Sequence, residues 1–180
     1  MSRAAARTEL RPATVDDAAA LAALARDNRD FLAPFEPHRD PAHFTEAGQR
    51  DLLVHLLAEH EQGRVVPFVI VHEGDLVGRL TLNDVVRGPA QWASLGYFVA
   101  EAVNGRGVAS EAVAQVLVTA FAPREDGGLG LHRLQAGTLL SNYASQAVLR
   151  RNGFERIGVA RRYLRIAGAW QDHVLHQRTA

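Results

Sequence analysis

The chain has 180 residues, of which 47% are hydrophobic and 22% are charged, and its basic and acidic side chains balance to a formal net charge of zero. This composition is typical of a single globular domain, which we expect to span residues 1–180, and it excludes a strong overall field drawing the protein to nucleic acid or an anionic membrane. The chain contains no cysteine, which excludes disulfides, thiolate metal sites and an acyl-cysteine intermediate.

The N-terminal sequence is short and basic but lacks the apolar core of a signal peptide, and no run of 18 apolar residues follows it. We therefore expect a cytoplasmic protein that does not enter a membrane. The histidines do not show metal-ligand spacing. His173 and His176 would face opposite sides of a strand, and His55 and His60 are poor partners on a helix, so we expect no metal site.

The first third of the chain predicts one strand and two helices. A short strand covers residues 8–13, and Thr14 is the expected N-cap of an alanine-rich helix that ends near residue 27. Three prolines make residues 28–41 an ordered but irregular loop or a broken helix. A second helix begins at residues 45–46 and ends at Gln62-Gly63.

Apolar residues at every second position then predict three antiparallel strands, at residues 65–71, 76–86 and 93–99. A helix with one buried face follows, because apolar side chains recur with helical spacing at Val113, Val116, Leu117, Ala120 and Phe121.

The last third predicts a strand, a helix and a hairpin. The strand at residues 131–138 would return beside residues 93–99 by a right-handed crossover, so this pair would be parallel. Ser141 or Asn142 caps the short helix. The hairpin consists of residues 154–166 and 169–177.

Glycines mark the N-terminus of the helix that follows the three strands, in the sequence Asn104-Gly105-Arg106-Gly107-Val108-Ala109. The first amides of a helix have no internal partner and carry partial positive charge, and glycine lets a bulky ligand approach them, so the turn suits a diphosphate. The sequence is not a P-loop, because no Lys-Ser or Lys-Thr follows, and Ser110 replaces the third glycine of a dinucleotide-binding fingerprint. Taken alone, it could also be a plain tight turn.

This order of elements resembles the GCN5-related N-acetyltransferase (GNAT) superfamily. The glycine turn is similar to the acetyl-CoA motif Gln/Arg-x-x-Gly-x-Gly/Ala, from which it departs at Asn104. The stretches Asn142-Tyr-Ala-Ser145 and Asn152-Gly153-Phe154 are similar to the family's Asn-x-x-Ser and x-Gly-Phe signature. Further marks, above all residues 168–174 with the pattern Gly-x-Trp-x-Asp-His-Val, resemble the ribosomal-protein alanine N-acetyltransferases of the RimJ/RimL type, and particularly the RimJ branch.

The resemblance implies an α/β (α+β) GNAT fold, a mixed and mostly antiparallel sheet of six or seven strands with helices on both faces and a splayed parallel strand pair that holds acetyl-CoA. It implies that the amides of residues 106–110 hold the diphosphate and that the backbone of residues 98–100 pairs with the pantetheine arm. The implied cofactor-binding residues are Phe98, Val99, Ala100, Asn104, Gly105, Arg106, Gly107, Val108, Ala109, Ser110 and Asn142.

The activity that the resemblance implies is transfer of the acetyl group by direct attack of an amine, with a backbone amide stabilising the developing oxyanion by about 3 kcal/mol. The usual glutamate base and tyrosine acid of the family are replaced by Ser94 and Leu149. Ser145 is the candidate for protonating the leaving thiolate and Asn142 for orienting the cofactor or a water, although both could be plain helix caps. Candidate groups for accepting the proton of the amine are Glu36, Asn83, Asp84, Glu101 and Asp172.

The acceptor implied by the resemblance is the N-terminus of a protein or peptide, with ribosomal proteins among the candidates. An α-amine has a pKa of about 8 against about 10.4 for lysine, so its deprotonation is easier by roughly 3 kcal/mol. Two alternatives stay open, a small-molecule amine such as an antibiotic or polyamine, which should require clustered acidic residues, and a non-catalytic acyl-CoA-binding module. The oligomeric state, monomer or homodimer, also stays open. Candidate acceptor-binding residues are Phe31, Phe35, Glu36, Asn83 and Trp170, although aromatic residues here could equally be ordinary packing.

Overall fold

A single mixed sheet forms the centre of the computed structural model, which describes residues 8–180. Its strands are β1 (Thr8–Pro12), β2 (Val66–His72), β3 (Asp75–Val86), β4 (Trp92–Val99), β5 (Arg133–Leu139), β6 (Glu155–Ile166) and β7 (Ala169–Thr179). They lie in the order β1-β2-β3-β4-β5-β7-β6, and every neighbouring pair is antiparallel except β4 and β5. The predicted meander, the parallel crossover pair and the terminal hairpin are therefore confirmed.

Helices cover both faces of this sheet, as predicted. They are α1 (Ala18–Asp27), α2 (Arg29–Leu32), α3 (Glu46–Glu61), α4 (Val108–Phe121) and α5 (Tyr143–Arg151). Helices α1 and α3 pack together over β2 and β3, whereas α4 packs against β1, β4 and α5. Three consecutive residues of β2, Phe68, Val69 and Ile70, are buried, which requires cover on both faces because side chains alternate along a strand. None of the described helices is long and apolar enough to cross a membrane.

The parallel pair separates soon after it forms. Strands β4 and β5 pair only from Trp92 to Ser94, opposite Arg133 to Gln135. Beyond this point β4 stays paired with β3, and β5 stays paired with β7. The sheet is therefore split between the second halves of β4 and β5, and the predicted splayed pair is confirmed.

The predicted boundaries differ from the structure mainly where short turns precede helices. A 3-10 turn, Val15–Asp17, comes before α1, and the segment predicted as irregular or broken helix contains α2. A second 3-10 turn, Pro41–Phe44, leads to Thr45, whose side chain accepts a hydrogen bond from Gly48 N at 3.1 Å and so caps α3. Strand β5 begins two residues later than predicted, and the amides of His132 and Arg133 both donate to Gln91 O, just before β4.

Candidate functional site

A cleft of about 710 Å³ passes through the sheet where β4 and β5 separate. On the face of α4 and α5 it is lined by the glycine turn and the start of α5, and on the other face by the segment between α1 and α3 and by the end of β6. Of the predicted site residues, it brings together Phe31, Phe35, Glu36, Asn83, Phe98, Val99, Asn104, Gly105, Gly107, Val108, Ala109, Ser110, Asn142 and Ser145.

The free edge of β4 presents backbone groups to this cleft. The amide of Ala100 donates to Val77 O at 2.7 Å, toward β3. Because amides alternate in direction along an antiparallel ladder, that of Phe98 also points to β3, whereas those of Tyr97 and Val99 point into the gap. An extended ligand can therefore pair with β4 through Tyr97 and Val99, in the place that β5 leaves open.

The glycine turn at one end of the cleft is shaped by backbone conformation. Gly105 and Gly107 have φ of +76° and +86°, which L side chains rarely adopt. Gly107 is the N-cap of α4, and the first intrahelical hydrogen bond runs from Glu111 N to Gly107 O. Within residues 8–180, the amides of Gly105 and of residues 107–110 donate no hydrogen bond, so they form a ready site for an anion.

Two hydroxyl groups meet on the same face of the sheet. The Tyr97 side chain crosses from β4 to α5, where its hydroxyl lies 2.9 Å from Ser145 Oγ. Burial raises the pKa of Tyr97 to about 12, despite the opposing effect of the hydrogen bond with Ser145. The tyrosine is therefore protonated at neutral pH and can share its proton with Ser145.

Asn142 and Asn152 have structural contacts at the two ends of α5. Asn142 Oδ1 accepts a hydrogen bond from Ser145 N at 3.1 Å and caps the helix, although the side chain also lines the cleft. Asn152 Nδ2 donates to Ser110 Oγ at 3.1 Å and to Val148 O at 2.9 Å, which ties α5 to the first turn of α4. The Asn-Gly-Phe signature thus holds the two helices that flank the cleft.

Thr138 of β5 carries an unsatisfied hydroxyl group at the wall of the cleft. The residue is 5% exposed, and Thr138 Oγ1 has no hydrogen-bond partner within residues 8–180. A buried hydroxyl normally finds a partner, because its desolvation is otherwise uncompensated. Its place in the cleft lining leaves a polar contact for a ligand.

The opposite face of the cleft is covered by residues 28–41, here called the α2 segment, which two hydrogen bonds hold in place. Asn28 Oδ1 accepts from Glu101 N at 2.8 Å, and Glu36 O accepts from Ala167 N, in the β6–β7 turn, at 2.9 Å. The rings of Phe31 and Phe35, with centroids 6.4 Å apart, contribute the apolar part of this wall.

The charges that line the cleft are mostly positive. Glu36 is the one carboxylate in the lining formed by the described residues, and its Oε2 lies 3.1 Å from Arg39 Nε. Arg79 and Arg151 also line the cleft. The other candidate proton acceptors, Asp84, Glu101 and Asp172, do not line it, and Asp172 Oδ1 accepts from Arg162 N at 2.8 Å.

Three predicted site residues do not line the cleft. Ala100 is buried directly after the end of β4, and the amide of Arg106 donates to Val103 O at 3.4 Å. Trp170 is 58% exposed on β7, opposite Arg165 of β6 and outside the lining. Within residues 8–180, no three His, Asp or Glu side chains cluster as metal ligands would.

Sequence reasoning missed Tyr97, Arg79 and Thr138 as site residues. One signal was present in the alternation along β3, where the polar side chains of Arg79, Thr81 and Asn83 share one face of residues 76–83, which are otherwise apolar. All three line the cleft. The contact between Tyr97 and Ser145 has no local signal, because it joins two distant elements.

Comparisons with known proteins agree with this geometry. The family model described as acetyltransferase (GNAT) domain matches residues 7–155. The Probable N-acetyltransferase YjcK of Bacillus subtilis (strain 168) is 36% identical over 166 residues, which cover 91% of this chain and 89% of that protein. The ribosomal protein uS5-alanine N-acetyltransferase of Escherichia coli (strain K12) is 34% identical over 161 residues, 88% of this chain and 80% of that protein. The structure of Mycobacterium smegmatis RimJ in complex with CoA-disulfide superposes with a TM-score of 0.90 at 36% identity, covering 96% of this chain and 82% of that one.

Proposed function

Because the chain belongs to the GNAT acetyltransferase family and is an acetyl-CoA-dependent N-acetyltransferase, we propose that its acceptor is the α-amine at the N-terminus of a protein or peptide. The observation that carries this proposal is a cleft open on both faces of the sheet, with anion-binding amides on one face. The wall on the other face is lined by aromatic rings, and most of its charged side chains are arginines. The activity of the Escherichia coli relative on a ribosomal-protein alanine supports the same class of acceptor.

The residues of the α4 face fit coenzyme A. The unpaired amides of Gly105 and of residues 107–110 would hold its diphosphate, with Asn104 beside them. The amides of Tyr97 and Val99, which point into the gap, would pair with the pantetheine arm, and Thr138 Oγ1 would gain the partner that it lacks among residues 8–180. When bound, acetyl-CoA supplies an acetyl group that is already activated as a thioester.

The acid in this proposal is Ser145, with Tyr97 behind it. Ser145 lines the cleft in the first turn of α5, and its hydroxyl can give its proton to the leaving thiolate and take one from the Tyr97 hydroxyl at 2.9 Å. Tyr97, which also lines the cleft, would then regain a proton from water. Asn142 holds the amide of Ser145 and so positions the hydroxyl. It is thus a positioning residue, because its Oδ1 is occupied by the cap.

The wall of the cleft opposite α4, here called the acceptor wall, has charges that favour an α-amine over a small polycation as the acceptor. Glu36, the one carboxylate that the described residues contribute to the cleft lining, is paired with Arg39, whereas a polyamine or aminoglycoside would require unpaired acidic groups. A site without a strong general base also suits an α-amine. The pKa of an α-amine is about 8, so a substantial fraction is unprotonated near neutral pH, whereas a lysine side chain is almost fully charged. Glu36 or a water held by Asn83 would then suffice to accept the proton.

Mass spectrometry of acetylated peptides tests the proposal. The purified protein is incubated with acetyl-CoA and peptides that begin with Ala or Ser and contain one internal lysine. We expect one added acetyl group, located at the N-terminal residue by fragmentation. The matched control is the same peptide with a blocked N-terminus, which should stay unmodified.

Acetylation of the internal lysine, with the α-amine untouched, would contradict the proposal. So would thiol release with polyamines or aminoglycosides and none with any peptide. The rate on the α-amine should rise with pH through the pKa of that amine, at about 8, because only the neutral amine attacks.

A further inference from the structure

Arg79 lies in the middle of β3 and faces the acceptor side of the cleft. It pairs across the ladder with Phe98 of β4, so the two side chains point to the same face of the sheet. Its guanidinium carbon lies 5.8 Å from the centroid of the Phe98 ring. Phe98 in turn lines a smaller pocket with Arg29, Leu32 and other residues of the α2 segment. Arg79 therefore belongs to the acceptor wall and not to the α4 face.

Among residues 8–180, the guanidinium of Arg79 has no anionic partner. It forms no ion pair or side-chain hydrogen bond with any residue of the described chain, 8–180, although it is partly buried. Burial and then the positive charge of Arg39 lower the pKa of Arg79, and Glu36 opposes them without reaching it as a salt-bridge partner. Arginine remains charged in such a place, so the side chain carries an uncompensated positive charge toward the cleft.

The cofactor does not account for this charge. The anion-binding amides of the glycine turn are at the start of α4, on the other face of the sheet from Arg79. The stacking on Phe98 satisfies the face of the guanidinium but none of its N–H donors. A planar fork of donors that lines a cleft is the geometry that binds a carboxylate.

We propose that Arg79 is a specificity-determining residue that binds a carboxylate of the acceptor, so that the protein prefers peptides with an acidic residue close behind the N-terminal residue. This inference rests on the proposed function. Arg79 is opposite Phe98, one position along β4 from Tyr97, whose hydroxyl meets that of Ser145. An extended peptide advances about 3.3 Å per residue, so we expect an acidic side chain at the second to fourth residue to come within reach of the guanidinium.

The test compares matched peptides that differ only in Glu or Gln at the second, third or fourth position. For the natural sequence we expect kcat/KM to be at least about tenfold higher with Glu than with Gln at one of these positions, as for a charge-assisted hydrogen bond. The variant Arg79→Gln should bring this ratio close to one, chiefly through KM, and Arg79→Lys should keep part of it. Arg79→Met preserves the apolar stem over Phe98 and serves if the glutamine variant is unstable.

The matched control is Arg50→Gln, which removes the same charge from the exposed surface of α3 and should leave the Glu/Gln ratio unchanged. A ratio within about twofold at every position in the natural sequence would overturn the inference, as would a ratio that survives in both Arg79→Gln and Arg79→Met. In either case acetylation of the peptides would leave the proposed function standing.

Arg79 could also bind the α-carboxylate of a free amino acid, which is bonded to the carbon that bears the amine. Free glutamate, glycine and alanine are therefore included at the same concentrations. Acetylation of these with no acetylation of any peptide, and with loss in Arg79→Gln, would support carboxylate binding by Arg79 and remove the peptide acceptor. Acetylation of neither class would overturn both.

Discussion

The size of the rate loss on removing the hydrogen bond between Tyr97 and Ser145 distinguishes a catalytic from a structural role of this pair. A neutral hydrogen bond of 2.9 Å contributes about 0.5–1.5 kcal/mol net, so losing a purely structural one should change the rate by less than about tenfold. A general acid contributes about 10²- to 10⁴-fold, or about 2.7–5.4 kcal/mol at 1.36 per factor of ten. We expect Ser145→Ala and Tyr97→Phe each to lower kcat by about 10²-fold or more, with a small change in KM for acetyl-CoA.

Thiol release at saturating acetyl-CoA and peptide measures this effect, and a double mutant tests whether the two hydroxyls act together. If Tyr97 donates to Ser145 and Ser145 to the sulfur, the double mutant should be no slower than the slower single mutant, because residues that act as a unit are not additive. Tyr143→Phe is the matched control. It removes the same hydroxyl from the first residue of α5, where the side chain is 76% exposed and outside the cleft lining, and should leave kcat unchanged.

The pH dependence adds an independent check. Burial raises the pKa of Tyr97 to about 12, so the hydroxyl stays protonated while the acceptor amine loses its proton near pH 8. The rate should therefore rise with pH and show no fall from tyrosine ionisation below about pH 11. Single mutants within about threefold of the natural rate, with additive effects in the double mutant, would refute a proton path through this pair.

Two further variants test how the cleft holds the cofactor. Gly107→Ala should weaken acetyl-CoA binding and lower the free energy of unfolding by about 1 kcal/mol, because Gly107 has φ of +86°. The matched control is Gly63→Ala, at φ of +72° in the turn after α3, which should lower the free energy of unfolding equally without changing the affinity. Titration calorimetry and thermal melting of both variants would contradict this if the two affinities fell equally. Thr138→Val should leave the ligand-free protein as stable or more stable, since it removes an unsatisfied buried oxygen, and should weaken acetyl-CoA about three- to tenfold. Unchanged affinity would show that this hydroxyl has no contact with the cofactor.

The sequence predicts the parts of the cleft that are determined locally. The turn at residues 104–109 is recognisable because glycine adopts the positive φ of Gly105 and Gly107 far more readily than other residues, and because the apolar spacing after it indicates a helix. The parallel pairing of β4 and β5 follows from the crossover through α4. Each of these depends on neighbouring residues and a few strong stereochemical rules.

The rest of the site depends on contacts between distant elements. Tyr97 meets Ser145 across 48 positions, and nothing in either local sequence specifies that contact. Arg79 is informative because it lacks an anionic partner among the described residues, and such a lack is visible only once the residues around the cleft are known. Trp170 illustrates the opposite case. Its position in a family-like motif predicted a site residue, but its place on β7 leaves the side chain 58% exposed and outside the cleft.

The spacing of Asn142 and Ser145 links the local and distant contributions. An N-cap side chain bonds the amide three residues later, so an asparagine at position 142 fixes Ser145 in the first turn of α5. The cap uses the amide of Ser145 and leaves its hydroxyl free to meet Tyr97 at 2.9 Å. The helix-cap and catalytic interpretations of this motif are therefore compatible, because the capping interaction is what directs the serine hydroxyl to the cleft. Asn142→Asp should preserve the cap and much of the activity, whereas Asn142→Ala should lower kcat together with the helix stability, by about 1 kcal/mol in the latter.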